Sequence, residues 1–511
     1  MTLIKGSHKR KELKKMEKLT WEKLLSTERE RPSSVFMDTN TSDNYIARNA
    51  FEADYDRIVG SSSVRRLQDK AQVFPLQEGD VARTRLTHSI EVSAMARSFG
   101  KAVGQALEKR EGTNFTSEKT EELAALLQVA GLIHDLGNPP FGHYGETIIR
   151  QWFKKYLKNH PHLLESEMDD QEKRDFLYFD GNVQNLRIVT KLQTQNDTYG
   201  ANFTYATLAT IMKYPWPSSA GAATKGKFGY FKSEQDLAFK IRSTLGLGDM
   251  VRHPATYLLE AADDIIYLCD DIEDGVKKGY VNWDSEYQKL KSKLDHSSEK
   301  LHEIFEKIDK KYVDERMEVH EQTIARARNF RNIVQTFLFS RCVETFLNHY
   351  DNIIMANIYT EETKGFELLK CEEPLVKELK RITRDNCFAC HEVLALELEG
   401  DRVISTLLDI FTDALLSNPV EDLVKTNRYC GKIFALISPN FVYRTLHDHA
   451  SRNEIIKEVQ AMQKEPEQYK IRRLRKLSRY ELLHLITDFI SGMSDSYAVK
   501  LYQELCGIRR P

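Results

Sequence analysis

The chain has 511 residues, enough for two or three packed units, and its Gly (24) and Pro (13) are scarce, which favours long helices over sandwiches, propellers or collagen-like rods. Apolar residues at 41% and charged residues at 29% exclude a disordered chain. Lys and Arg (74) nearly balance Asp and Glu (76), so any nucleic-acid or membrane partner would need a local patch.

Residues 1–45 read as a basic arm (Lys9–Lys18, KRKELKKMEK) followed by a Ser/Thr/Asn-rich link, and no secretory signal is expected at this polar start. Residues 46–283 carry dense helical periodicity and almost every chemically suggestive side chain. The longest apolar stretch, Leu123–Ile133, is far short of the roughly 18–20 residues of a membrane span and predicts a buried helix. The Gly/Ser/Lys segment 218–232 predicts a loop closing in a short hairpin. Residues 284–511 read as further helices, with Leu290, Leu294, Leu301, Ile304 and Ile308 at helical spacing and another helix over Val403–Leu416. Seven cysteines point to reduced thiols and a cytoplasmic, soluble protein. The expected fold class is all-α.

Three segments carry a chemical constellation. In RTRLTHS (83–89), Arg85 and His88 stand at i and i+3 at a helix start. In GLIHDLGNPPFGHYGE (131–146), an apolar helix delivers His134 and Asp135, Gly137, Asn138 and two prolines stop it, and His143 and Glu146 follow at i and i+3. In EAADDIIYLCDD (260–271), Asp263, Tyr267 and Asp271 share one helical face beside an apolar stripe of Leu259, Ala262, Ile266 and Cys269. An inward acid–phenol–acid face needs a cation and a polar ligand to satisfy it. His88, His134, Asp135 and Asp263 form a mixed nitrogen–oxygen donor set for a divalent metal with room for water, which by ligand type ranks Mn²⁺, Fe²⁺, Co²⁺ or Ni²⁺ above Mg²⁺. Each piece alone reads as ordinary core or capping; together they predict a metal-dependent phosphohydrolase.

This set resembles the HD-domain superfamily of metal-dependent phosphohydrolases. The strings RRLQDKAQVFPL (65–76), RTRLTHS, HDLGNPPFGH (134–143), DGNVQNLRI (180–188), MKYP (212–215), EAADDI (260–265) and ISGMSDSYA (490–498) are similar to the deoxyguanosine triphosphate triphosphohydrolase (dGTPase) family. The resemblance implies that His88, His134, Asp135 and Asp263 hold the metal, Mg²⁺ or Mn²⁺ in that family. It implies that His143, oriented by Glu146, is the catalytic histidine. Asp263 is preferred to Asp264 because Tyr267 and Asp271 then fall at i+4 and i+8, where the family contacts the sugar. Arg85 and Lys213 are implied to bind phosphates, Gln72 and Val73 to meet sugar and base, and Asn182 to lie near the catalytic histidine. The implied reaction is hydrolysis of dGTP at the α-phosphorus to deoxyguanosine and tripolyphosphate. The implied partners are a dNTP substrate, further copies of the chain in a hexamer or tetramer assembled through residues 284–511, and a nucleotide or single-stranded DNA effector, with no membrane.

Two rival readings are an HD phosphodiesterase or nucleotidase acting on another phosphate ester, and a nucleic-acid-binding helical protein with a vestigial core. The second draws on the basic tracts Lys9–Lys18 and Lys470–Arg479. Cys387-Phe-Ala-Cys390-His391 matches a haem-attachment pattern, but ordinary helical residues are the better account, without an export signal or an axial partner.

Overall fold

Two antiparallel helices, Arg85–Glu108 and Ser117–Ile133, lie side by side and form the centre of the first half. Thr84 and Thr116 cap them by accepting the amides of Thr87 and Lys119, which closes donors that a helix start leaves open. The two backbones touch: a side chain at Gly100 would put its Cβ 2.6 Å from Ala124 Cα, and one at Gly131 2.7 Å from Ser93 Cα. This computed structural model describes residues 18–31, 48–75, 82–110, 112, 114–162, 166–193, 198–220, 226–356, 366–447 and 452–508. Among the described residues there is no strand, only the isolated bridges Arg29–Thr204, Ala71–Thr84 and Pro217–Tyr230, so the fold is all-α. No described helix is long and apolar enough to cross a membrane.

The apolar residues collect into two interiors. The first joins the central pair to Pro254–Lys277 and the 30-residue helix Val319–Asn348 through Phe99, Leu126, Leu258, Ile265, Phe330 and Leu338. The second packs Gly142–Asn159 against His391–Leu416 and Arg479–Ser491 through Phe153, Phe176, Val183, Leu407, Phe411 and Ile490. Each such side chain, fully withdrawn from water, contributes about 1.5–3 kcal/mol before entropy is counted. Both interiors draw on residues before and after position 284. The apolar positions 290, 294, 301, 304 and 308 are all buried, as their spacing predicts.

Of the segment expected as an arm, residues 18–31 pack onto the first interior: Trp21 and Leu24 are buried, and Arg29 bonds Asp54. The tract Lys9–Lys18 lies outside the described residues apart from Lys18. Residues 221–225 of the expected hairpin also lie outside them, and the flanks show a single parallel bridge, Pro217–Tyr230.

Candidate metal centre and its surroundings

The site forms where elements of the two interiors meet. The capping box at Thr84 starts the 85–108 helix so that Arg85 and His88 both turn inward and are buried. The 117–133 helix ends at Ile133, and the His134 Nδ1–H donates to the Gly131 carbonyl at 2.8 Å. That bond leaves Nε2 as the nitrogen available to a cation, and it is buried without a hydrogen-bond partner. Asp263 comes from the middle of the 254–277 helix: its Oδ1 lies 3.1 Å from His88 Nε2 and 3.4 Å from His134 Nε2. Donor atoms of His88, His134 and Asp263 all lie within 4.8 Å of one another.

Asp135 stands beside this trio, with Oδ1 3.7 Å from His134 Nε2. Its two oxygens are already engaged: Arg85 Nη1 donates to Oδ2 and Asn138 Nδ2 to Oδ1, each at 2.6 Å. Burial pushes the Asp135 carboxyl up, but the His134 and Arg85 charges override it and hold it down at about 2. Burial opposes charge on His134, yet Asp135 and Asp263 together lift it to about 9. The surroundings thus favour positive charge at this point, and an unpartnered imidazole nitrogen faces two ionised carboxylates. A divalent cation fits that environment.

The structure separates the neighbouring aspartates. Asp263 faces the two imidazoles, whereas Asp264 lies in the field of Lys213 and Glu260, and burial with the nearby Asp263 charge pushes it up to about 7. Lys213 Nζ is 3.0 Å from Glu260, whose other oxygen bonds Arg252 at 2.8 Å. Tyr267 and Asp271 line the same wall. Burial raises the phenol, and the charges of Asp264, Asp263 and Asp271 add to it. Burial pushes Asp271 up to about 8, the Asp274 charge adding to it and Arg83 and Arg85 opposing. Gln72 Oε1 is buried without a partner, and Val73 packs on the first interior.

On the other side, Phe141 and Gly142 both adopt the left-handed region (φ 62 and 59) before the 142–159 helix starts. Glycine suits 142 because of its positive φ, and a Cβ there would also press on Arg85 Nη2 at 2.4 Å. The turn leaves His143 79% exposed, with Nδ1 3.5 Å from Glu146 Oε2. Glu146 is buried, and its Oε1 accepts the Gly181 amide at 2.9 Å. The Glu146 carboxylate raises the His143 imidazole above its ordinary value. Asn182 is pinned to Asp180, which accepts both its backbone amide and its side-chain amide.

Three residues outside the expected set matter to the geometry. Arg83 reaches Glu91 (3.0 Å), Asp270 (3.2 Å), Glu273 (3.2 Å) and Asp274 (2.5 Å), which ties the start of the His88 helix to the helix carrying Asp263. Asn138 and Lys70 hold the turn after Asp135, Lys70 by donating to the Asn138 carbonyl. All three lie inside the strings quoted above, but only their partners assign them work.

Cys387 is buried, donates to the Asp271 carbonyl at 3.5 Å, and is free, as are the other six cysteines. In the tract Lys470–Arg479, Arg473, Arg475 and Arg479 pair with Glu458, Glu421 and Glu167.

The HD domain family model matches residues 85–192, a span that includes His88, His134, Asp135, His143 and Glu146. A deoxyguanosinetriphosphate triphosphohydrolase-like protein of Listeria monocytogenes is 37% identical over 497 residues, covering 96% of this chain and 100% of the relative. The protein of that name from Synechocystis sp. is 32% identical over 508 residues, covering 96% and 100%. The deoxyguanosinetriphosphate triphosphohydrolase of Serratia proteamaculans is 30% identical over 496 residues, covering 89% and 93%.

Proposed function

The chain belongs to the HD-domain dGTPase family, and from that premise we propose that it hydrolyses a deoxynucleoside triphosphate, dGTP foremost, at the α-phosphorus to deoxynucleoside and tripolyphosphate. The carrying observation is the His88–His134–Asp263 trio, with its buried, unpartnered His134 Nε2 and a partly exposed Asp263, next to an exposed histidine backed by a buried carboxylate.

In this reading His88, His134, Asp263 and Asp135 hold a divalent cation. Bound there, the ion supplies Lewis acidity toward a phosphoryl oxygen and toward water. His143 stands free to meet the substrate, and Glu146 holds its ring and its proton, so it serves as the proton donor or orienting group at the reacting phosphate. Arg85 and Lys213 supply fixed positive charge along the phosphate chain, Lys213 by leaving Glu260. Protonated Asp271 can donate to a sugar hydroxyl, and the orphaned Gln72 Oε1 can accept from one. Tyr267 fills the space beside them. Asn182 supports the wall behind His143. The mixed donor set favours Mn²⁺ or another transition ion over Mg²⁺ as the better activator. Assembly of four or six chains and control by a nucleotide or single-stranded DNA complete the reading. A salt-sensitive shift of labelled oligo(dT) tests the DNA part, and no binding at tens of micromolar protein, within the roughly 1–100 μM range of non-specific affinity, would retire it.

The deciding experiment incubates the pure protein with each dNTP and with GTP, separately with Mg²⁺ and Mn²⁺, and resolves products by ion exchange. Intact tripolyphosphate with a deoxynucleoside is the expected result. Monophosphate with pyrophosphate, or released orthophosphate, would move the attack to another ester and overturn the assignment.

A further inference from the structure

Asp495 opens the helix Asp495–Leu505, near the far end of the chain, yet its carboxylate reaches the floor of the site. It is 8% exposed and accepts two backbone amides: Ala71 N on Oδ2 at 2.9 Å and Phe141 N on Oδ1 at 3.0 Å. Ala71 directly precedes Gln72 and Val73; Phe141 directly precedes Gly142 and His143. The strap 69–71 is tied from other directions as well. Ser496 Oγ donates to Asp69 at 2.7 Å, the Lys70 ammonium donates to the carbonyls of Asn138 and Ser491, and the Lys70 carbonyl accepts the Arg85 amide at 3.0 Å.

The turn needs such support. Phe141 is a side-chain-bearing residue in the left-handed region, a conformation that persists only where its surroundings impose it. Two features impose it here: the hydrogen bond its amide donates to Asp495, and a ring seated over Gly400, where a Cβ would come within 2.8 Å of the ring. A carboxylate suits the junction because two N–H donors converge on it, one per oxygen. An amide in its place would accept one donor and present N–H to the other.

We infer that Asp495 is a positioning residue for the proposed hydrolysis, its two oxygens fixing the register between the Gln72–Val73 backbone and the turn that presents His143. The role in hydrolysis rests on the proposed function; the clamp itself does not. The C-terminal helix thereby completes a site whose other groups all lie before residue 275.

Asp495→Asn in the full chain with Mn²⁺ tests this, read by hydrogen–deuterium exchange and by steady-state kinetics on the dNTP that the wild type prefers. Exchange is expected to quicken in peptides covering 69–75 and 138–147 and to stay unchanged over 254–277. kcat is expected to fall about tenfold or more, because misplacing a reacting group by an ångström costs on that scale. Asp495→Glu keeps both acceptors on a longer stem, so it should restore the exchange protection and recover kcat only in part; it carries the test if the Asn variant does not fold. Exchange that is unchanged or uniformly faster, or kcat and KM that stay at wild-type values in both variants, would overturn the inference. A wild type inert on every dNTP would sink the functional reading alone, and the exchange pattern would then decide the clamp.

Discussion

On the side of the first interior, donor atoms of His88, His134 and Asp263 lie within 4.8 Å of one another, the two imidazoles withdrawn from water and Asp263 partly exposed, with His134 also held by the Gly131 carbonyl. On the side of the second, His143 is 79% exposed and only its partner Glu146 is buried. The contrast matches the roles proposed for the two sides. Groups that hold an ion gain from rigidity and a low dielectric, while a group that meets substrate must stand clear and take its orientation from a buried neighbour. The two interiors meet at the turn 134–142, where Arg85 bonds Asp135 and Asp495 bonds Phe141, so neither side is placed without the other.

Substitutions on the two sides should separate metal retention from turnover. His134→Ala is expected to abolish both, with turnover falling by roughly three orders of magnitude or more, since it removes the free nitrogen at the centre of the donor set. His143→Ala is expected to lower kcat by about 10²–10³ while Mn²⁺ stays bound, the scale of a lost general acid or base. Equilibrium dialysis with metal analysis reads the difference; Mn²⁺ retained by the His134 variant would break the comparison at its root.

The second interior depends on a buried charge group. Arg187 bonds Asp488 and Glu234, each at 2.7 Å, and all three are buried. Arg187→Met strands two carboxylates and should cost about 3–5 kcal/mol in denaturant unfolding. A loss under about 1 kcal/mol, the scale of an exposed pair, would show that the trio contributes little.

Two buried histidines sharpen the contrast at smaller scale. His253, in the first half, is satisfied: Nε2 bonds the Leu24 carbonyl at 2.9 Å and Nδ1 accepts the Ala255 amide at 3.1 Å. Burial pushes it down from 6.5 to about 4. The unfolded chain therefore binds the extra proton first, so this contribution is complete above about pH 6.5, shrinks as pH falls, and is gone below about pH 4. It amounts to on the order of 3 kcal/mol, and His253→Asn should flatten the dependence in unfolding at pH 5 against pH 7. His484, in the second interior, lies among Phe176, Phe231 and Tyr480 with neither ring nitrogen partnered. His484→Phe removes two unsatisfied polar atoms and is expected to leave stability unchanged or raise it by about 1 kcal/mol. A marked loss would mean that the imidazole bonds a group the contrast leaves out.

Helical periodicity by itself determined much of this protein. The face shared by Asp263, Tyr267 and Asp271, the pairing of His143 with Glu146, and the buried stripe 290–308 all follow from 3.6 residues per turn, a local property written in the spacing of side-chain types. Spacing from Tyr267 and Asp271 already preferred Asp263 to its neighbour Asp264; the helix rotation imposed by packing against 85–108 and 319–348 turned the first to the imidazoles and the second to Lys213. Spacing likewise placed Asp135 with the ligands, whereas the fold occupied both its oxygens with Arg85 and Asn138. The arm's Trp21 and Leu24 carried no sign that a distant interior would bury them. Least legible was the C-terminal clamp. A hydrogen bond between residues 424 positions apart leaves no period in the sequence, and Asp495 became part of the site only because the second interior carries its helix back to the seam.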